Sequence, residues 1–123
     1  MNGQTTITIG GKPAGLKFGM YSAQLFQEQI EKGRKMFIGE SINEIGITYV
    51  LWCGYLNYCE MKQIDPDLKF EDFYQYAEEP GNMEELKGAL QVWSESRVIK
   101  EVVKNAEAET KKKNSPQKKS GRR

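Results

Sequence analysis

The chain has 123 residues, 38% of them hydrophobic and 28% charged, a length that suits one domain. Its formal net charge of +1 hides an asymmetry: residues 104–123 carry eight Lys or Arg against two Glu, and residues 1–103 carry ten against fifteen acidic residues. The absence of histidine removes the commonest general base and metal ligand, and with them every Ser-His or Cys-His dyad.

The first element predicted is a β-hairpin. In TTITIGGKPAGLKF, residues 5–18, Ile7 and Ile9 lie on one face of a strand, and Leu16 and Phe18 on one face of the next. Gly10-Gly11 can adopt the positive φ that a tight hairpin turn requires. Pro13 has no amide to donate, so it belongs at the turn or on an edge. A two-stranded hairpin is marginal alone in water and must lay its apolar face on something. The helices that follow supply that surface.

Gly19 leads into a helix in which Ala23, Phe26 and Ile30 share a face, with Gly33 as its stop. A basic connector, RKMFIGE (34–40), follows. Ser41 and Glu44 then have the spacing of a capping box, opening a helix that runs to about Met61. Ile42, Ile45, Tyr49, Trp52, Cys53, Leu56 and Cys59 form its main apolar stripe, and Ile47, Val50, Leu51 and Tyr55 a second. A helix apolar nearly all round is central. Asp65-Pro66-Asp67 breaks the chain. FEDFYQYAEE (70–79) is a short helix with Phe70, Phe73, Tyr74 and Ala77 on one face and Glu71 and Asp72 near its positive end.

Pro80-Gly81 ends that helix. Asn82 and Glu85 form a second capping pair, opening a helix through Leu86, Leu90 and Trp93 to about Val103. The apolar phase shifts at SESR (94–97), which predicts a kink, a break or a change of partner there. The core expected from these patterns is Ile7, Ile9, Phe18, Phe26, Ile45, Tyr49, Trp52, Leu56, Phe73, Leu90 and Trp93. The fold class read from the sequence is α+β, mainly α: an N-terminal hairpin packed on about four helices, in a domain spanning residues 1–103. Residues 104–123 have little to bury and read as a disordered basic tail.

Little in the chain carries chemistry. Cys53 and Cys59 are six residues apart, about 600° on a helix, so they point to different faces and read as core thiols. Without a signal-like segment in residues 1–20, they also suit a reducing cytosol. The most apolar run, GITYVLWCGYL, has eleven residues against the ~20 that span a bilayer. Gly10-Gly11-Lys12 lacks Walker spacing, and Glu71, Asp72, Glu78 and Glu79 follow no calcium-loop pattern, which leaves a turn and a solvated face. No enzyme, metal or cofactor is expected.

Two features suit contact. Tyr21, Tyr55, Tyr58, Tyr74 and Tyr76 are amphipathic and fit a partner-binding surface. In the tail, Lys111, Lys112, Lys113, Lys118, Lys119, Arg122 and Arg123 would attract acidic surfaces. Having no interleaved aromatic residue, they imply at most weak, non-specific, salt-sensitive binding of nucleic acid.

Two segments together resemble a known family. ITIGGKPAGLKFGMYSAQLF is similar to the opening of small phage and prophage tail assembly chaperones: strand, glycine turn, short strand, a Phe-Gly-Met-like step, then helix. LKFEDFYQYAEE resembles the family's helix in which a strand-like leader meets Phe-Glu-Asp, with Lys69 standing where that pattern has a Thr or Ser cap. The resemblance covers roughly residues 5–95. It implies a non-enzymatic protein of the host cytoplasm, absent from the finished virion, that coats the apolar tape-measure protein until tail-tube subunits polymerise around it. The implied partners are the tape-measure protein, the tail-tube protein and further copies of the chain. The hairpin then either covers the central helix or joins copies through its edge. KKKN (111–114) suits a slippery codon run from which a longer, frame-shifted product would arise. The alternative is a small phage or bacterial DNA-associated or regulatory protein acting through its basic tail.

Overall fold

Two successive glycines decide where the chain first turns. Gly10 and Gly11 have φ of 57° and 79°, the positive pair that a two-residue hairpin of the right twist needs. They join β1 (Gln4–Ile9) to β2 (Lys12–Lys17), in a computed structural model that describes residues 3–96. Ile7 stands opposite Ala14 and Thr5 opposite Leu16, and Ile7, Ala14 and Leu16 are fully buried. Pro13 sits opposite Thr8, where it has no N–H to offer; the Thr8 amide points elsewhere, to Glu85.

Among the described residues four α-helices follow: α1 (Met20–Glu31), α2 (Glu44–Lys62), α3 (Phe70–Glu78) and α4 (Met83–Glu95). A second, very small hairpin, β3 (Phe37–Ile38) with β4 (Ser41–Ile42), precedes α2. A 3-10 turn, Pro80–Asn82, links α3 to α4. The architecture is the one expected, a hairpin on a mainly helical body. Helix α2 is central, packed against β2, α1, α3 and α4, while β1 lies on α4 and α3. The first hairpin therefore covers the middle of the molecule. Gly54 permits the approach, since a Cβ there would lie 2.6 Å from the ring of Phe18. The core gathers Ile7, Leu16, Phe18, Phe26, Met36, Leu51 and Phe73.

Both expected capping boxes are replaced. Ser41 pairs within β3–β4, and Asn43 caps α2 instead, its Oδ1 accepting from the Gly46 amide at 2.8 Å. The Asn43 Nδ2 also donates to the Lys35 carbonyl and its backbone N–H to that of Met36. Asparagine is as good a cap as serine, and here it ties the connector to the helix as well. Asn82 does not cap α4; its Nδ2 donates to the Tyr76 carbonyl, and Glu85 reaches away to β1. At α3, Lys69 cannot accept a bond, so only the return half of a capping box forms: the Lys69 N–H donates to Asp72 Oδ2 at 2.7 Å.

The core face of α2 is also rotated from the expected stripe. Ile45 is 38% exposed, and Tyr49, Trp52 and Leu56 are only half-buried. Cys53 and Cys59 of that stripe and Val50, Leu51 and Tyr55 of the second are buried as expected, and Thr48, Gly54 and Asn57 face inward beside them. Thr48 satisfies its hydroxyl by donating to the Glu44 carbonyl, so a polar residue is buried at little cost. Leu90 is half-buried. Helix α4 ends at Glu95, with Ser96 already extended, which is the break expected within 94–97. The expected stretch of helix to Val103, the domain boundary at residue 103 and the basic tail lie outside the described residues.

Candidate functional site

The five tyrosines singled out from the sequence part company in the fold. Tyr55 and Tyr76 are each only 4% exposed, so they are corrected from contact surface to core. Each buries its ring and spends its hydroxyl on a structural bond. Tyr55 donates to Asp67 Oδ1 at 2.7 Å and accepts from the Asp67 and Leu68 amides, pinning the chain between α2 and α3. Burial, reinforced by the bond to Asp67, pushes this phenol up to about 12. Tyr76 donates to Glu85 Oε1 at 2.7 Å. Its hydroxyl is raised well above the ordinary phenol range by burial and then by that carboxylate. Tyr58 is half-buried, with its ring against the bare backbone of Gly15 and Lys62 Nζ 5.8 Å from the ring centre. Tyr74 is half-buried on α3. Tyr21, 40% exposed, is the most open of the five.

Glu85 is a polar hub that ties α4 to β1 and α3. Its Oε1 accepts from the Thr8 amide at 2.9 Å and from Tyr76, and its Oε2 accepts from the Thr8 hydroxyl at 3.3 Å. Burial pushes this carboxyl upward, but the donors outweigh it and the group lies below its ordinary value. An open cleft of about 680 Å³ beside it is lined by Asp72, Glu79, Glu84, the Gly10-Gly11 turn and Tyr76. No group of three or more metal-ligating side chains occurs among the described residues.

Where Tyr21 lies, a second, smaller cleft of about 390 Å³ opens between the start of α1 and the end of α2. Its lining mixes the apolar Tyr21, Leu56, Cys59, Ile64 and Pro66 with Glu60, Gln63 and Asp65. Ile64 is 52% exposed, and Met20 and Met61 on the same two helix ends are 76% and 42% exposed. The walls are fixed. Gln63 takes the left-handed conformation (φ 60°, ψ 42°) and closes α2. The Ile64 amide donates back to the Cys59 carbonyl at 3.0 Å, the pattern of a Schellman stop. Asn57, on the same helix, accepts from the Gly19 and Ser22 amides with one oxygen. It thus caps α1, whose own N-cap, Gly19, has no side chain to do so.

A third feature is aromatic. Tyr49, Trp52 and Phe70 are half-buried between α2 and α3, with Tyr49 and Phe70 centroids 4.6 Å apart. Trp52 meets Phe70 and Phe73 edge-on, and the Arg34 guanidinium stands 5.7 Å from the Tyr49 ring centre.

The two cysteines are buried and free, as the spacing predicted. Burial, with Glu28 adding to it, pushes the Cys53 thiol up to about 12, and burial also raises Cys59. Neither supplies a thiolate near neutral pH. Among the described residues no helix is long and apolar enough to cross a membrane. Lys111, Lys112, Lys113, Lys118, Lys119, Arg122 and Arg123 lie outside those residues.

Sequence reasoning missed Leu56, Ile64 and Pro66 as parts of one surface. Ile64 follows the last helical turn, where no periodic signal reaches it, and Leu56 was assigned to the core. Comparison with known proteins finds no match: no family model fits the chain, and neither a curated protein nor a solved structure matches it.

Proposed function

We propose that the chain is a non-enzymatic tail assembly chaperone that binds the tape-measure protein of a phage and keeps it soluble in the host cytoplasm until tail-tube subunits polymerise around it. The observation that carries this reading is the exposure of four large apolar side chains, Met20, Tyr21, Met61 and Ile64, at the start of α1 and the end of α2, around a cleft of mixed polar and apolar lining. Surface of this kind suits reversible cover of an exposed amphipathic helix. Methionine, unbranched and polarizable, adapts to many side chains rather than to one. Many weak copies along one long chain gain by avidity and need no tight single site. The resemblance in residues 7–26 and 68–79 points the same way.

The experiment is co-expression. A tape-measure fragment that aggregates alone stays soluble with this chain and co-elutes with it, without nucleotide or metal. A fragment equally soluble alone, or a pair that never co-elutes, refutes the reading.

A further inference from the structure

We propose that the cleft between the start of α1 and the end of α2 docks an amphipathic helix whose apolar face is aliphatic and whose flanks carry lysine or arginine. The inference rests on the proposed function for the natural source of that helix, a tape-measure segment, and on the cleft alone for its chemistry.

The apolar part of the site is built for knobs from a partner helix. Leu56 comes from α2, over the buried Cys59, Tyr21 comes from α1, and Ile64 and Pro66 come from the chain leaving α2. Helix-in-groove recognition uses anchors at i, i+3, i+4 and i+7, and such a groove needs walls that do not collapse. The wall at residues 64–67 is held at both ends. The Ile64 amide is bonded to the Cys59 carbonyl, and Asp67 is bonded to the Tyr55 hydroxyl through its side chain and its amide. A wall already ordered costs little further entropy when a partner binds.

Charge selects among the occupants. Glu60 and Asp65 both line the cleft, and Lys62, between them in sequence, stands against the Tyr58 ring instead. Two copies of this chain docked cleft to cleft would bring these carboxylates together, which is unfavourable. The basic tail has the right sign, but from Lys111 to Arg123 it has no aliphatic side chain except Pro116 and so nothing to seat on Leu56 and Ile64. A helix with both a leucine-type face and basic flanks meets the two requirements together.

The test uses the purified full chain and two synthetic peptides of about 18 residues, roughly five helical turns. Both carry leucine at i, i+3, i+4 and i+7; one has lysine flanks and the other glutamate. By fluorescence anisotropy the lysine peptide binds at least about tenfold more tightly, a difference of about 1.4 kcal/mol. Ile64→Asp and, separately, Tyr21→Ala each weaken it about tenfold or more while thermal unfolding stays cooperative. The pair Glu60→Lys with Asp65→Lys inverts the preference. Equal affinity for the two peptides, binding of neither, or indifference to both cleft variants overturns the inference. Self-association abolished by Ile64→Asp, with no peptide binding, overturns it in favour of a second copy.

The co-expression experiment separates this inference from the reading above it. A tape-measure fragment held in solution equally by the Ile64→Asp chain removes the cleft and leaves the chaperone. Peptide binding as expected, with no fragment held, removes the chaperone and leaves the cleft.

Discussion

Glu85 and Asn57 show how much one side chain can hold when it serves two elements. Replacing Glu85 by Ala removes the acceptor of the Thr8 amide, the Thr8 hydroxyl and the Tyr76 hydroxyl. Thr8 is solvent-accessible, so water takes up part of the loss, and the expected cost is about 1–2 kcal/mol in urea unfolding. The pH dependence follows from the sign of the shifts. Glu85 has its carboxyl held below the ordinary value of 4.5, so its contribution is complete above that value and is lost as pH falls through the lowered one. Tyr55, raised from 10 to about 12, favours the protonated phenol in the fold; its contribution is complete below pH 10 and is lost as pH rises toward 12. Stability measured against pH should therefore be level around neutrality. Glu85→Gln should flatten the acid limb and Tyr55→Phe the alkaline limb, and a wild-type slope unchanged by either substitution would refute the assignment. Asn57→Ala removes the α1 cap supplied from α2, with an expected loss of about 1–2 kcal/mol, read from the same unfolding curves. Neither residue could be found by pattern. A cap delivered from another helix leaves no local spacing to recognise, and Glu85 matches a capping box with Asn82 that the fold does not use.

Among the elements, the first hairpin and the order of the helices were legible because strict alternation and the Gly-Gly turn are short-range signals. The rotation of α2 was not. A helix apolar on most sides leaves its inward face undecided, and the decision falls to small residues: Gly54 lets the hairpin approach, and Thr48 buries a hydroxyl that bonds its own helix. This makes Gly54→Ala a sharp probe. The added methyl meets the Phe18 ring at 2.6 Å, and overpacking of this kind costs about 1–3 kcal/mol. Phe18→Leu in the Gly54→Ala background should recover part of that loss, although Phe18→Leu alone is destabilising; strictly additive effects in a double-mutant cycle would show that the two do not touch. The β3–β4 hairpin escaped notice because two-residue strands carry no period. Of the cleft, only Tyr21 was legible as a contact residue. Its other walls come from a helix end and an irregular segment, where neither the helical nor the strand repeat applies.

For the whole molecule, the composition of residues 104–123 leads us to expect a basic segment separable from the rest. Deletion after Val103 is expected to leave the thermal unfolding of the remaining domain unchanged, and loss of cooperative unfolding would show that the segment belongs to the core. Nucleic acid binding by the full chain should be weak and should fall steeply between low and physiological salt. Sequence-specific binding that survives physiological salt would favour the regulatory alternative. The bond between Thr8 and Glu85 has a further consequence, which concerns synthesis. Its partners are 77 positions apart, so a ribosome adding about 5–20 residues per second makes the hairpin roughly 4–15 seconds before its anchor on α4. During that interval the part of β1 that packs on α4 lacks its cover. The native arrangement of β1 is then among the last contacts settled, and limited proteolysis of stalled nascent chains should find residues 4–9 protected only once α4 has emerged.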